Sequence, residues 1–564
     1  KCKQIPLSSF NTTSTIQIPA KMRFSRNLKS STQSIPSPDG AYIATILSSK
    51  LNIRETRSLE TLRVVTLPPE LLSSISWFLW SDSSTRILLA STDSIRVYSI
   101  TNPQFSANIT SPTSGTTKVT YITFGATDDE ICVFSDFGLK LSIMNLTTSK
   151  SVDINSPKFY HPGNAGKGFS YRPGTKNLAL LTRSGGKDII SIHTLESLEV
   201  MRSWHPESID AQGIIWSPDG RWLAVWESAS QGHRIFVYTA DGHLYKTWNG
   251  PNPTCHEEAD IELGAGIKML DWNRPGTHVA VGDFSSRVTL LATPSFNESM
   301  NVIHTTSVTP AESLQVWQEQ IGPSQYGGVK REFAAATQTI CPPTSGTTPA
   351  SNNDVKTGTN ILSFDHSGTL LATRNENMPT TIWIWDIGTR ILRAVMILHS
   401  PIARVTWHAT IDELLMVRCE GEETRGLVHL WDPSWEKPKV VDFATEIPGG
   451  KVIGKTIVRW LNVESEHPAM LFSDTQDCML VSVSETDDGD IPWQDAGSRG
   501  FDIYGQREES PLNLVPVEEK RRRGKTIESL MEEEDMTRMS DGSDEVEDTF
   551  QFRKFVGPES SPWT

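Results

Sequence analysis

The chain has 564 residues, which is enough for one large domain or for several ordinary ones. Its formal net charge of −15 argues against a nucleic-acid binder, since such proteins neutralise phosphates with a basic face. The charge is uneven: residues 485–564 contain 21 acidic and 10 basic side chains, a net of −11, so the preceding part is close to neutral at about −4.

The cysteines and the hydropathy pattern narrow the class of protein further. Six cysteines are scattered along the chain, with no C-x2-C ligand pair and no spacing typical of a disulfide framework. Reduced thiols in a cytosolic or nuclear setting fit this pattern best. The sequence has no run of 18 or more apolar residues, so we predict no transmembrane helix.

The first 21 residues lack the apolar core of a secretory signal, and we predict a disordered extension over 1–21. The sequence starts with Lys, which is typical of a fragment or of a translated gene model, and Met22 is a plausible true start. Residues 22–485 then form the predicted folded part.

One unit recurs nine times in that part. Each copy has a short apolar strand, a turn with Pro, Asp or Gly, a second strand rich in Leu, Ala and Val, a polar loop, and a third strand of alternating β-branched and aromatic residues. The copies begin at residues 35, 75, 119, 168, 214, 267, 361, 405 and 457. The residues between copies suffice for a fourth strand, and this period is typical of the blades of a β-propeller.

The fold prediction is therefore all-β, a propeller with one ring of seven to nine four-stranded blades. A single blade cannot bury both faces, so blades stack radially and close a ring. Two Ser-Pro-Asp-Gly segments suit type I turns. Structural markers of the blades are Trp216, Pro218, Asp219, Trp383, Trp385, Asp386, Trp431 and Asp432, the last five from two Trp-Asp strand ends.

Two regions do not fit the repeat. Residues 318–358 fill a gap of 94 residues between two copies and are rich in Gly, Pro, Ser and Thr, so we predict a flexible insertion. Residues 486–564 are charged and poor in apolar clusters, which predicts a disordered acidic tail. Within this tail, the basic run 520–525 has the pattern of a nuclear signal or of a patch for an acidic partner. Four acidic residues follow it, so charge pairing within the tail is the alternative interpretation.

Two motifs suggest chemistry that the context does not support. Residues 449–456, GGKVIGKT, match the phosphate-loop pattern, in which backbone N–H groups and Lys455 would hold phosphates. That motif requires a following helix, whereas TIVRWLN is strand-like, so a loop between blades is the better interpretation. CHEEAD, residues 255–260, gathers metal-type ligands, but adjacent residues on a strand point to opposite faces, which favours a solvated loop. We predict no catalytic residue, metal or cofactor.

The most unusual segment is LATRNENMPTTIWIWDI, residues 371–387, in which a long polar loop joins two strands. This segment, LAVW at 223–226 and the start MRFSRNLKSS at Met22 resemble the WD repeat-containing protein eight family, a eukaryotic WD-repeat family, over about residues 22–485. The resemblance implies a non-enzymatic scaffold at the microtubule-organising centre, in the cytoplasm, at the centrosome or the spindle pole body. It also implies two partners, a coiled-coil adaptor similar to the afadin- and alpha-actinin-binding protein and, in yeasts, a minus-end-directed kinesin. The implied role is to anchor microtubule minus ends and to organise the spindle.

Partner binding is expected on loops that the rigid ring displays. The candidate partner-binding residues are Arg374, Asn375, Asn377, Pro379 and Trp226. The alternative for the loop is that its two asparagines only satisfy turn backbone. Two other classes stay open: a propeller scaffold in another complex, such as translation initiation, and a nucleotide-binding propeller that uses residues 449–456. We predict no nucleic acid, membrane or small-molecule substrate.

Overall fold

The computed structural model describes residues 22–494, except 73, 92, 111–118, 161–166, 196, 252–264, 324–328, 346–357, 464–466 and 484–490. The predictions for residues 1–21, for 255–260, for the basic run 520–525 and for the tail beyond 494 lie outside the described residues.

Nine sheets follow one another along the chain, one for each repeated unit, and the strands of each unit pair antiparallel. We number them blades 1 to 9 and name the strands of a blade first to fourth in chain order. Blade 1 consists of Ser34–Pro36, Tyr42–Leu47, Lys50–Glu55 and Thr61–Thr66. Blade 2 consists of Trp77–Trp80, Arg86–Ala90, Ser94–Ser99 and Ser106–Thr110. Blade 3 consists of Val119–Phe124, Glu130–Ser135, Lys140–Asn145 and Ser151–Asn155. Blade 4 consists of Phe169–Tyr171, Leu178–Ser184, Lys187–His193 and Val200–Trp204. Blade 5 consists of Ala211–Trp216, Trp222–Glu227, Ile235–Thr239 and Leu244–Trp248. Blade 6 consists of Ile267–Trp272, His278–Asp283, Arg287–Ala292 and Asn297–Ile303.

Blades 7 and 8 have the same four strands, and blade 9 is completed from the N-terminus. Blade 7 has Thr359–Phe364, Leu370–Asn375, Thr381–Asp386 and Ile391–Ile397; blade 8 has Ile402–Trp407, Leu415–Cys419, Leu427–Trp431 and Lys439–Asp442; blade 9 has Ile457–Leu461, Ala469–Ser473 and Asp477–Ser482. Arg23–Phe24 and Leu28–Lys29 pair with the third strand of blade 9. The helices are single turns, Pro69–Leu72, Asp136–Gly138, Ala229–Gln231 and Phe443–Thr445.

Burial within a blade identifies its inner and outer strands. The second strand of blade 3 is buried at every residue, whereas its fourth strand alternates between exposed and half-buried residues. First strands of neighbouring blades, such as those of blades 6 and 7, contact each other. The first strands therefore line a central channel and the fourth strands form the outer rim.

The ring is closed by apolar packing between every pair of neighbouring blades. Nine buried clusters each join two consecutive blades. The closing cluster joins Ile43 of blade 1 to Leu471 and Leu480 of blade 9, all fully buried. The N-terminal strands on blade 9 tie both ends of the ring together. The predicted all-β propeller is confirmed, with nine blades in one ring.

The turns follow the sequence signals. In the segment Ser217–Gly220, the Gly220 N–H donates to the Ser217 carbonyl at 2.9 Å, and the Ser217 hydroxyl donates to Asp219 Oδ1 at 2.5 Å. Gly220 has φ +69°, which only glycine adopts without strain. Residues 37–40 repeat these bonds in blade 1. Pro218 and Asp219, which the sequence suggested as blade markers, lie in one of these turns.

The prediction of a flexible insertion over 318–358 is wrong for its first part. Gln315–Pro323 and Val329–Ala335 form an antiparallel hairpin, which extends blade 7 to six strands by parallel pairing with its fourth strand. The hairpin is ordered because it buries Trp317 and Phe333 between blades 7 and 8. Residues 346–357 lie outside the described residues.

The tail boundary at 486 is also wrong by a few residues. Trp493 is 1% exposed and packs in the cluster between blades 9 and 1. The Gln494 N–H donates to the Arg57 carbonyl at 2.6 Å. Trp493 and Gln494 therefore still contact the ring.

Candidate interaction surface at the channel mouth

One face of the ring collects the longer loops. In each blade, the loop between the second and third strands lies at the same end as the connection to the next blade, because the strands alternate in direction. We call this end the upper face. The loop 376–380 and the helical turn Asp136–Gly138 both lie there.

The first strands of five blades carry a β-bulge at their second residue, next to the upper face. The register skips Thr120, Gln212, Lys268, Asn360 and Ala403. A bulge re-aims the side chain of the extra residue and twists the strand. The repeated bulges therefore present these side chains at the upper mouth of the channel.

The Arg374 guanidinium lies at this mouth. Its Nε donates to the Asn360 Oδ1 atom at 2.9 Å, so it is anchored on the bulge of blade 7. Burial lowers the pKa of Arg374, and the carboxylates of Glu420 and Glu376 oppose that shift. Glu376 itself pairs with the bulge residue Lys268 of blade 6 at 2.5 Å. Charged side chains from three blades thus meet around this loop.

Asn375 is not a partner-binding residue, and that prediction is wrong. Its side chain is fully buried, and its Nδ2 donates to the Ser285 carbonyl at 3.2 Å. Its Oδ1 accepts the Asn377 N–H at 2.9 Å. Asn375 therefore satisfies turn backbone, which was the alternative interpretation of the loop.

Asn377 and Pro379 are half-buried, and their carbonyls brace the loop. The Asn377 carbonyl accepts the Ser345 N–H at 2.8 Å, and the Pro379 carbonyl accepts the Ile402 N–H at 2.8 Å. The loop is thereby fixed to blade 8 and to the segment that follows the hairpin. Partner binding by Arg374, Asn377 and Pro379 stays a prediction.

Trp226 is a core residue, so its prediction as a partner-binding residue is wrong. The side chain is 1% exposed and packs between blades 5 and 6. Its ring covers Gly213 so closely that an added Cβ there would lie 2.1 Å from the indole. Alternation along the second strand points Trp226 toward the next blade and away from solvent.

The tryptophans of the Trp-Asp ends lie in the core of the ring. Trp216, Trp383, Trp385 and Trp431 are all buried. Asp386 Oδ1 accepts the Thr389 N–H at 2.9 Å, and Asp432 Oδ1 accepts the Ser434 N–H at 2.8 Å. Both carboxylates therefore hold the turn that leads to the fourth strand.

Sequence reasoning missed a buried relay in blade 7. The Trp385 Nε1–H donates to Thr373 Oγ1 at 2.8 Å, and the Thr373 hydroxyl lies 2.8 Å from His304 Nε2. His304 Nδ1 lies 2.9 Å from the Ser286 carbonyl. Burial lowers the pKa of His304 to about 4, and a bond to Ser286 and the charge of Asp283 only partly oppose this. A neutral His304 therefore joins blades 6 and 7.

Sequence reasoning also missed a group of arginines on blades 8 and 9. Arg404 and Arg459 are exposed and Arg418 is half-buried. Each looks ordinary in the sequence, because its neighbours in space come from other strands. We call these three residues the arginine cluster.

The phosphate-loop motif does not have the required geometry. Residues 449–456 lead directly into the strand Ile457–Leu461, not into a helix. The Ile453 N–H donates to Asp474 Oδ2 at 2.9 Å, so a carboxylate already occupies a donor that the motif would offer to a phosphate. Among the described residues, no group of three His, Cys, Asp or Glu side chains suits a metal ion. Within the same residues, no helix is long and apolar enough to span a bilayer.

A closed ring of four-stranded blades with buried Trp-Asp ends defines the class: the chain is a WD-repeat β-propeller protein. It is 24% identical to the WD repeat-containing protein WRAP73 of Mus musculus over 421 residues, which cover 71% of this chain and 84% of the mouse protein. It is 22% identical to an uncharacterized WD repeat-containing protein of Schizosaccharomyces pombe over 425 residues, 71% of this chain and 80% of the yeast protein. These relatives confirm the WD-repeat family.

Solved structures with a similar fold include the C-terminal WD40 domain of Sif2. The match has a TM-score of 0.41 at 11% identity and covers 76% of this chain and 99% of that domain. No protein-family model matches the sequence.

Proposed function

We propose that the chain is a non-enzymatic scaffold at the microtubule-organising centre. In this proposal it binds a coiled-coil adaptor through the upper face, and the complex anchors microtubule minus ends and supports spindle assembly. In yeasts a minus-end-directed kinesin joins the complex. The centrosome or the spindle pole body is the site of action.

The position of the segment Arg374–Pro379, the end of a strand and the loop after it, carries the proposal. This loop is the segment with the strongest resemblance to the WD repeat-containing protein eight family, and it lies at the channel mouth. Its backbone is braced by blades 7 and 8, so Arg374 and Asn377 are held in place before a partner arrives. A rigid display of this kind reduces the entropy lost on binding. The similarity to mouse WRAP73 supports the same assignment at the level of a WD-repeat scaffold.

The test is co-purification of the coiled-coil adaptor with an Arg374→Ala, Asn377→Ala double variant. The expected result is a clear loss of adaptor at unchanged melting temperature. The matched control is Arg221→Ala, whose side chain is 78% exposed on the turn after the first strand of blade 5, at the lower face. Full retention of the adaptor by the double variant would exclude the loop, and a loss with the control as well would show a non-specific charge effect.

A further inference from the structure

The upper mouth of the channel carries positive charge that the ring does not neutralise. Arg404 and Arg418 are directly opposite each other in the antiparallel register of blade 8. Opposite residues of such a pair project on the same face, about 5 Å apart at Cβ, where like charges destabilise the sheet. The ring therefore keeps an arrangement that costs stability.

No carboxylate forms an ion pair with the arginine cluster within the described residues. The ion pairs of that part of the chain include none with Arg404, Arg418 or Arg459. The hydrogen bond found for Arg418 is a long one of 3.4 Å to the Thr456 carbonyl. Elsewhere at the same mouth, Lys268 has Glu376 as its partner. The arginine cluster of blades 8 and 9 therefore lacks the ion pair that Lys268 has.

The three arginines lie close enough to repel one another. Burial lowers the pKa of Arg418, and the charges of Arg404 and Arg459 lower it further. Partial desolvation lowers the pKa of Arg459 as well, although its side chain still reaches solvent, and the charge of Arg404 adds to that shift. The mutual repulsion joins side chains of blade 8 and blade 9 into one positive centre.

One member of the cluster, Arg418, lines an open cleft between the two blades. The cleft has a volume of about 460 Å³, and its lining includes Arg418, Arg425, Gly454, Lys455 and Thr456. Lys455 is exposed, and the neighbouring Gly454 has φ +73°, a conformation that favours glycine. Arg425 is paired with Glu422 at 3.0 Å, whereas Lys455 and the three cluster arginines have no ion pair within the part of the chain that the structure describes.

We propose that the arginine cluster and Lys455 form a binding site for a carboxylate-rich segment of a partner protein. Guanidinium groups take carboxylates in bidentate, charge-assisted hydrogen bonds. Glutamates at i and i+4 of a helix lie about 6 Å apart, a spacing that matches the opposed arginines of blade 8. Binding would also relieve the repulsion within the cluster.

A protein partner fits this site better than a nucleic acid. Glu420, Glu422 and Glu423 lie next to the cleft as exposed side chains. These carboxylates repel a polyphosphate, whose charge is dense along its whole length. A short row of carboxylates needs only the few cationic groups present here, whereas a polyphosphate needs a longer basic face.

This site deepens the proposed function, and it rests on that function only for the identity of the partner. The e and g positions of coiled-coil helices are often glutamates, so a coiled-coil adaptor can supply the carboxylates. The peptide experiment below does not involve the adaptor or the spindle pole. A failed peptide experiment would therefore leave the proposed function standing, and a failed localisation experiment would leave the site standing.

The test is fluorescence anisotropy of a labelled octaglutamate peptide with the full chain. The triple variant Arg404→Gln, Arg418→Gln, Arg459→Gln is expected to bind much more weakly, by about tenfold for each arginine removed. Octaglutamine and octalysine are not expected to bind, and raising the salt from about 50 to about 300 mM is expected to weaken octaglutamate binding.

The matched control is Lys176→Gln, Arg202→Gln, Arg221→Gln, three exposed residues on blades 4 and 5 with the same total charge change. It is expected to bind like the wild type. Equal peptide binding by the cluster variant and the wild type, with melting curves that show both folded, would overturn the proposal. So would equal weakening by the control variant, or a single-stranded oligonucleotide that binds the cluster more tightly than the peptide.

Discussion

A buried carboxylate fastens the inserted hairpin to the ring, and its removal should loosen that part of the structure. Glu319 is 4% exposed, and its Oε1 atom lies 3.0 Å from His429 Nε2 and 3.1 Å from the Arg331 guanidinium. Its Oε2 atom accepts the His399 N–H at 2.9 Å. Hairpin, blade 7 and blade 8 therefore meet at one carboxyl group. The variant to make is Glu319→Gln.

The expected loss follows from these contacts. Burial raises the pKa of Glu319, but hydrogen bonds from His429, the His399 N–H and Arg331, together with the charge of His429, outweigh it and hold the pKa at about 2. Removing one partner of a buried ion pair costs about 3 to 5 kcal/mol. We expect about 3 kcal/mol, because the glutamine carbonyl keeps one acceptor. A depressed carboxyl pKa gives stability above the ordinary value of 4.5 that is lost as the pH falls toward 2.

The assay is urea unfolding at pH 7 and at steps down to pH 3, together with hydrogen exchange of the hairpin amides. The matched control is Glu332→Gln on the same hairpin, where an exposed carboxylate pairs with Lys330 at 3.0 Å, and we expect less than about 0.5 kcal/mol there. The difference between Glu319→Gln and wild type should shrink below pH 4.5. A loss below about 1 kcal/mol at pH 7, or equal losses for the two variants, would refute the reasoning.

Three further changes test other parts of the ring. Trp226→Ala should lower the free energy of unfolding in urea by about 3 to 5 kcal/mol, because it leaves a cavity in the core between blades 5 and 6. A loss under about 1 kcal/mol would contradict the burial of Trp226. Because the pKa of buried His304 is about 4 against an ordinary 6.5, the unfolded state takes up a proton first, and stability should fall by about 2 kcal/mol between pH 7 and pH 5; His304→Gln should flatten that slope, and an unchanged slope would contradict the neutral relay. Arg404→Glu should raise the melting temperature, because an opposite-charge pair with Arg418 is worth roughly 0.5 kcal/mol; a lower melting temperature would show that the two side chains do not face each other.

The blade architecture could be predicted from the sequence because it rests on local patterns. Period-2 alternation and Pro, Asp and Gly turns mark each strand and each bend, so all nine units match the nine observed sheets. The number of blades that close a ring depends on packing between units, which no single unit encodes. The apolar contacts of Ile43 with Leu471 across the ring closure supply that information only in three dimensions.

The hairpin and the mouth residues show where sequence reasoning failed. Gly and Pro around residues 322–328 obscured the alternating pattern of the hairpin strands, and Trp317 was a missed sign of burial. Asn375 and Trp226 were assigned to the surface from residue type, whereas the strand face decides their burial. The arginine cluster joins three strands and is invisible to any pattern along the chain.

The most direct test of the central claim is the location of the tagged full chain in dividing cells. If the ring is a scaffold of the microtubule-organising centre, the fluorescent protein should concentrate at both spindle poles, and loss of the chain should detach microtubule minus ends from the poles. A diffuse cytoplasmic signal throughout mitosis, with normal spindles after depletion of the chain, would contradict the account.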